Sequence, residues 1–234
     1  MSLLKTIGGY LARTPLHPQW LLGRRQPPRG LREFSGTLLD IGAADRWLRP
    51  CLSDSADYIA MDFPPTGQAM YGSRPDVFGD ACNLPIADGS VDGVACLEVI
   101  EHVVSPPAVM RETSRVLRRG GSAWFSMPFL YPIHDAPYDF QRFTRYGWIR
   151  AAESAGLELV WMEKTGHAVR SAGLLACLAL AGGALRSPVP LRPFLLVFAT
   201  LAVLAINLGA WVVSLAWPDW DAMATGYELQ VRKP

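Results

Sequence analysis

The chain has 234 residues, the size of one ordinary domain with an appendage. Lys and Arg number 22 against 21 Asp and Glu, and a balance this near to neutral offers no broad basic surface, which speaks against a nucleic-acid partner. Half of the residues are hydrophobic and the mean hydropathy is positive, high for a soluble enzyme, so the apolar excess has to be concentrated in one region.

Cys51, Cys82, Cys96 and Cys177 form no C-x-x-C and no spacing that pairs with histidines. That argues against structural zinc or a disulfide framework, and no metal is expected; a reducing cytoplasm suits such cysteines. Residues 1–33 carry Lys5, Arg13, Arg24, Arg25, Arg29 and Arg32 and no acid before Glu33. Leu3, Leu4, Ile7, Tyr10 and Leu11 fall at helical spacing, but no apolar core follows Lys5, so this is no secretory signal. Two readings stay open: a loosely packed lead-in to the first strand, or a basic amphipathic segment lying on anionic lipid.

Thr37-Leu-Leu-Asp-Ile-Gly-Ala-Ala-Asp45 begins as a short apolar run interrupted by Asp40, then breaks at Gly42 into small residues. A buried parallel strand delivering its carboxyl end to a ligand crevice has this pattern. A second apolar run, Tyr58-Ile-Ala-Met, stops at Asp62, one helix and one strand further on. Asp62 should therefore reach the neighbouring strand tip, where a carboxylate accepts hydrogen bonds from ribose hydroxyls. A dinucleotide needs G-x-G-x-x-G, and here the later positions are Ala43, Ala44 and Arg46, which speaks against NAD or FAD.

Further along, strands are expected near 37–41, 57–62, 76–79, 92–97, 122–127 and 157–163, with helical patterns between them. The clearest helix is Pro106 to Leu117, with Val109, Thr113, Val116 and Leu117 as its packing face and Gly120-Gly121 as its left-handed cap. Such alternation implies a parallel, doubly wound α/β sheet.

These residues resemble the class I S-adenosylmethionine-dependent methyltransferases, whose first motif usually reads D-x-G-x-G-x-G. The resemblance continues through Gly79-Asp-Ala-Cys-Asn-Leu-Pro85, Ser90-Val-Asp-Gly-Val-Ala-Cys-Leu-Glu98, Glu101-His102 and Arg115-Val-Leu-Arg-Arg-Gly-Gly121, covering roughly residues 36–163. It implies a Rossmann-like, seven-stranded sheet with an antiparallel last strand, and S-adenosyl-L-methionine as cofactor. It implies Asp40, Gly42 and Ala43 in the first loop, Asp62 on the ribose, and Asp80 with Ala81 on the adenine. Glu98 and Glu101-His102 fall beside the methionine half. The chain departs from the motif at its second and third glycines. The alternative reading of Asp80 is a turn aspartate, and of Glu101 and His102 caps of the following helix.

Pro128 to Thr144 leaves the fifth strand at the edge where ligands bind in such sheets, and sets His134, Asp135, Asp139 and Arg142 among five aromatic residues and three prolines. A few charges in an aromatic wall suit a site that excludes water. The pattern H-x-x-P-x-D-x-x-R-F-T resembles that of methyltransferases associated with surface-polysaccharide and lipid gene clusters. His134 is the expected base, with Asp139 orienting it or Arg142 gripping an anionic part of the substrate; alternatively Asp139 and Arg142 pair to pin the loop.

From Ser171 to Trp217 only Arg186 and Arg192 are charged. Phe194 to Trp217 is long enough to cross a bilayer, since about 20 apolar residues suffice, and Ala172 to Leu185 is shorter. Small residues at Ala172, Ala176, Ala179 and Gly183 suggest close helix packing, and Thr200, Asn207 and Ser214 form one polar stripe. The expectation is a helical hairpin turning at Ser187-Pro-Val-Pro190, then a final strand over Thr225 to Lys233.

If that strand rejoins the sheet, both hairpin ends lie on one side of a membrane. Full crossing would then carry Arg186 and Arg192 across, so a shallow monotopic hairpin at the cytoplasmic face is preferred. A two-helix span, a single span and a soluble cap or dimer interface are the alternatives. The expected organisation is a lead-in (1–35), a methyltransferase core (36–165), the apolar hairpin (166–222) and the last strand of the core (223–234). The expected function is methylation, most simply O-methylation, of a lipid-linked or small-molecule acceptor. The rival is an inactive membrane-associated accessory protein, motivated by the missing glycines.

Overall fold

The computed structural model describes residues 13–43, 45–67 and 74–234. The expected amphipathic helix over Leu3 to Leu11, and Ala44, lie outside the described residues. The chain divides into two compact units, a sheet unit (26–129, 133–163 and 226–234) and a hairpin unit, which in the described residues comprises 13–25, 130–132 and 164–225.

The sheet has seven strands: β1 (Gly36–Ile41), β2 (Ala56–Asp62), β3 (Val77–Phe78), β4 (Val91–Leu97), β5 (Leu117–Pro128), β6 (Glu158–Thr165) and β7 (Gly226–Arg232). They lie in the order β3-β2-β1-β4-β5-β7-β6. β1 runs parallel to β2 and β4, and β4 parallel to β5, while β7 is antiparallel to β5, as expected. The order reverses direction at β1, so the carboxyl ends of β1 and β4 diverge around a crevice. Leu38, Leu48, Ala95, Leu97 and Trp124 pack a buried cluster against β1.

Helix α1 (Pro106–Val116) buries Val109, Thr113 and Val116 of the expected stripe, with Met110 beside them, and carries proline where a helix has no need of an N–H donor. Gly120-Gly121 does not cap it. Leu117 is already extended (φ −65°, ψ 138°) and starts β5. The glycines sit in a break of strand register: Val91 faces Leu117, but Gly93 faces Ser122. Gly120 takes φ +78° there, and a Cβ on Gly121 would lie 2.9 Å from the Arg118 carbonyl. The pair therefore serves a bulge, which needs an extra residue and a close backbone approach.

Helix α2 (Arg145–Ser154) starts at Thr144, whose hydroxyl accepts from the Gly147 N–H at 3.1 Å. Its Trp148 is fully buried against Phe125 and Phe143.

The hairpin unit is built on α3 (Ala168–Arg186) and α4 (Arg192–Val213). Both are long and apolar enough to cross a membrane by length and composition, so the first helix exceeds the expected 172–185. The expected small-residue stripe is not the packing face. Ala172, Ala176, Ala179 and Gly183 are exposed, and α3 turns Ser171, Gly173, Leu174 and Cys177 inward instead. The close approach is at Gly173, where a Cβ would lie 2.8 Å from the Ala210 Cβ. Hydropathy could not choose the face, because α3 is apolar on every side.

The expected polar stripe is not one surface either. Asn207 is fully buried, donating Nδ2 to the carbonyls of Pro15 (2.7 Å) and His17 (3.0 Å). Thr200 bonds back to the Leu196 carbonyl, and Ser214 accepts from Arg170 Nε at 2.6 Å.

Entry and exit of the hairpin meet. The Thr225 N–H donates to the Thr165 carbonyl at 3.0 Å, and their hydroxyls are 3.1 Å apart. Lys164 Nζ adds bonds to Asp219 (2.8 Å) and to the carbonyls of Trp220 and Met223.

Candidate active site

The first loop follows directly from strand register. Ile41 pairs with Met61, so the tips bearing Gly42 and Asp62 are neighbours, and the Gly42 and Ala43 amides both donate to the Met61 carbonyl (2.9 and 3.0 Å). Gly42 has φ +72°, and a Cβ there would meet Val99 Cγ2 at 2.4 Å, so only glycine fits. Arg46, at the third motif position, has φ +56°, the left-handed conformation that a glycine adopts freely. Its guanidinium compensates by gripping the Arg74 carbonyl at 2.9 Å and Asp76 Oδ1 at 2.7 Å. The turn thus survives without its glycine because a side chain ties it down.

Asp40 is buried within β1 and accepts from the Tyr58 hydroxyl at 2.5 Å; burial first, and this contact second, push the Tyr58 phenol far above its usual range. Tyr58 is a partner that sequence reading missed. Asp62 is 6% exposed and its carboxylate accepts from the Phe63 N–H at 2.8 Å. Asp80 is exposed and caps its own turn, accepting from the Cys82 N–H at 2.8 Å, while Ala81 is buried beside it. A glycine turn that no side chain can fill, next to a carboxylate held at the adjoining strand tip, fits the adenosine part of S-adenosylmethionine.

Beyond β4, Glu98 adopts φ +58° and accepts from the Ser126 hydroxyl at 2.7 Å. A 3-10 turn, Ile100–His102, follows. The loop carrying His134 is fastened to this turn: the Phe140 N–H donates to the Glu101 carbonyl (2.9 Å), and Gln141 Nε2 donates to the carbonyls of Ile100 (2.6 Å) and Val103 (2.8 Å). His102 Nδ1 donates to the Tyr138 carbonyl at 3.0 Å.

Within the loop, Asp139 and Arg142 form a bidentate ion pair. The guanidinium holds the Asp139 carboxyl down to about 2. Asp139 Oδ2 also accepts from the His134 N–H (3.0 Å) and lies 3.2 Å from His134 Nδ1. Arg142 Nη2 is 3.5 Å from the same nitrogen, so Nδ1 sits between the carboxylate and the guanidinium. His134 Nε2 is then turned toward Glu101 Oε1 at 3.9 Å, and His102 Nε2 lies 3.6 Å from that oxygen.

Glu101 is fully buried, and neither carboxylate oxygen has a hydrogen bond. Burial first, and the Glu98 charge second, drive its carboxyl well above the usual range. The sequence had offered Glu101 as a helix cap; nothing in its spacing signals that the side chain points inward. His134, Asp139, Arg142, Glu101 and His102 are thus brought together on one edge of the sheet, with Glu98 at its rim.

Residues 39–125 match the family described as "Methyltransferase domain". An uncharacterized methyltransferase of Mycobacterium bovis is 29% identical over 160 residues, covering 65% of this chain and 58% of that one. The chain therefore spans less than two thirds of that relative's length. The demethylmenaquinone methyltransferase of Beutenbergia cavernae is 40% identical over 95 residues, 37% of this chain and 39% of that one. In fold, the geranyl diphosphate C-methyltransferase of Streptomyces coelicolor, solved with S-adenosyl-L-homocysteine, superposes with a TM-score of 0.53 at 14% identity, covering 99% of this chain and 81% of that one. Strand order, the first loop and the match over residues 39–125 make this chain similar to methyltransferase domains over that stretch.

Proposed function

We propose that the protein methylates an oxygen of a lipid-linked or lipid-soluble acceptor at the cytoplasmic face of a membrane. Its hairpin lies shallowly in that membrane, between a core of residues 36–165 and its returning strand, 223–234. The observation that carries the reading is the outer surface of α4. Phe194, Phe198 and Leu201 are 76%, 63% and 62% exposed, with Trp217 and Trp220 following at 64% each. A contiguous apolar face of this kind marks a membrane or protein contact, and tryptophans suit the interfacial depth.

Because the hairpin's ends meet at Thr165 and Thr225, it crosses a bilayer twice or not at all. Crossing twice would carry Arg186 and Arg192 to the far side, against the positive-inside bias, so the shallow mode is preferred. Demethylmenaquinone and geranyl diphosphate, named for two of the similar proteins, lend support to an acceptor with a lipid-like chain.

S-adenosylmethionine supplies a methyl group already activated on a sulfonium. The chain's own residues align the acceptor and exclude water. His134, held through Nδ1 by Asp139 and Arg142, takes the proton of the acceptor hydroxyl, and Asp62 holds the ribose.

The test is incubation of membranes containing the protein with radiolabelled S-adenosylmethionine, followed by separation of lipid, glycan and protein fractions. Label in the lipid fraction is expected. Label confined to protein or to water-soluble products removes the lipid acceptor. If no fraction is labelled and calorimetry of the pure protein shows no heat of cofactor binding, the accessory-protein reading replaces the enzyme. A carbonate wash that strips the protein from membranes removes the hairpin insertion.

A further inference from the structure

Glu101 poses a problem that the proposed chemistry leaves unsolved. A carboxylate with no exposed surface and no hydrogen bond is costly unless it is protonated or faces a cation. Arg142, the cation nearest in influence, commits its fork to Asp139. The groups that do face Glu101 are two imidazole nitrogens. The ligand atoms of Glu101, His102 and His134 all lie within 4.8 Å of one another.

Both rings present the same nitrogen. His102 bonds through Nδ1 to the Tyr138 carbonyl (3.0 Å), and His134 Nδ1 lies 3.2 Å from Asp139 Oδ2 and 3.5 Å from Arg142 Nη2, so each turns Nε2 toward the carboxylate. This is the outer-shell arrangement of metal-bound histidines, in which an oxygen acceptor on one ring nitrogen sets the tautomer and aims the other. The spans from Glu101 Oε1 to the two Nε2 atoms, 3.6 and 3.9 Å, are those of two donors each about 2.1 Å from one ion.

We infer that Glu101, His102 and His134 together hold one divalent transition cation. Two imidazoles and a carboxylate select zinc, manganese or ferrous iron over magnesium or calcium, and three protein ligands leave positions open for a substrate oxygen. The inference rests on the proposed methyl transfer only for the ion's purpose. An acceptor hydroxyl bound to the cation releases its proton to solvent; its oxygen then bonds the methyl carbon as the carbon–sulfur bond breaks and the sulfonium becomes a neutral thioether. In that role His134 is a ligand that positions the acceptor instead of the base that takes its proton, and the cation activates the hydroxyl by lowering its pKa.

The test is made on the full chain in detergent, stripped with chelator and titrated with cobalt(II), reading the visible absorption of the bound ion and, by calorimetry, zinc and manganese. One ion per chain is expected. Glu101→Gln and His102→Ala should each weaken cobalt binding a hundredfold or more, and Asp139→Asn, which touches only the outer shell, by about 10–100-fold. Should Glu101→Gln fail to fold by circular dichroism, His102→Ala carries the comparison. Unchanged affinity in a folded ligand variant, or no binding tighter than millimolar for all three ions, overturns the site. If the stripped protein still binds S-adenosylmethionine while no ion binds, the cation site falls and the methyltransferase reading stands. If cobalt binds but no acceptor is ever methylated, the cation site stands and the proposed function falls.

Discussion

The sheet unit and the hairpin unit place their residues by opposite rules. In the sheet unit the apolar strands Leu38–Leu39 and Val94–Leu97 are interior, and the titratable groups gather at the strand tips. In the hairpin the large apolar side chains face outward, Phe194 at 76% exposure, while Asn207 and Ser171 are completely enclosed. The first arrangement is that of a domain in water; the second leaves a large apolar face uncovered. One polypeptide can obey both rules because its polar groups in each unit are tied locally, Asp40 by Tyr58 and Asn207 by backbone carbonyls.

The comparison can be broken by changes confined to one unit. The largest expected effect is at His134. His134→Ala should slow methyl transfer about a hundredfold or more, leaving the heat of S-adenosylmethionine binding unchanged; equal turnover would remove His134 from the reaction. Next is Gly42→Ala, which combines left-handed strain with a Cβ 2.4 Å from Val99. It should weaken cofactor binding tenfold or more, following a strain of about 1–2 kcal/mol, without altering partition of the protein into membranes. The mirror change is Asn207→Leu. Loss of the bonds to the Pro15 and His17 carbonyls should destabilise the hairpin unit by about 1–3 kcal/mol in a detergent melt, with cofactor affinity retained.

The smallest effect separates the units by pH. Glu228, in β7, is pushed up to about 6 by burial first and by the Glu98 and Glu163 charges second. A carboxyl raised in the folded state favours folding below its unfolded pKa, near 4.5, and this contribution is lost as pH rises through about 6. Glu228→Gln should therefore stabilise the sheet unit at pH 7 by about 1–2 kcal/mol and make no difference below about pH 4, which denaturant melts at the two pH values would read.

Much of the sheet was legible because buried parallel strands are written as short apolar runs ending in glycine or aspartate, as at Ile41-Gly42 and Met61-Asp62. The final strand was equally plain in the alternation from Tyr227 to Arg232. The misreadings share a cause. A glycine pair after a helix has the same spelling whether it caps the helix or forms a bulge, and only the partner strand, with Val91 and Gly93 out of step, decides for Gly120-Gly121. In α3, with apolar residues all round, periodicity could not say which face is inside. At the candidate site the segment His134 to Thr144 stood out by composition and Asp139 was expected to orient His134, yet the enclosure of Glu101 depends on tertiary distances that spacing does not encode.

The meeting of Thr165 with Thr225 has a consequence for how such a chain can diversify. A loop whose two feet stand together imposes no length on what lies between them. Residues can be added to or taken from the excursion in whole turns while β6 and β7 keep their alignment, so the apolar portion is free to change in length and composition without disturbing the sheet.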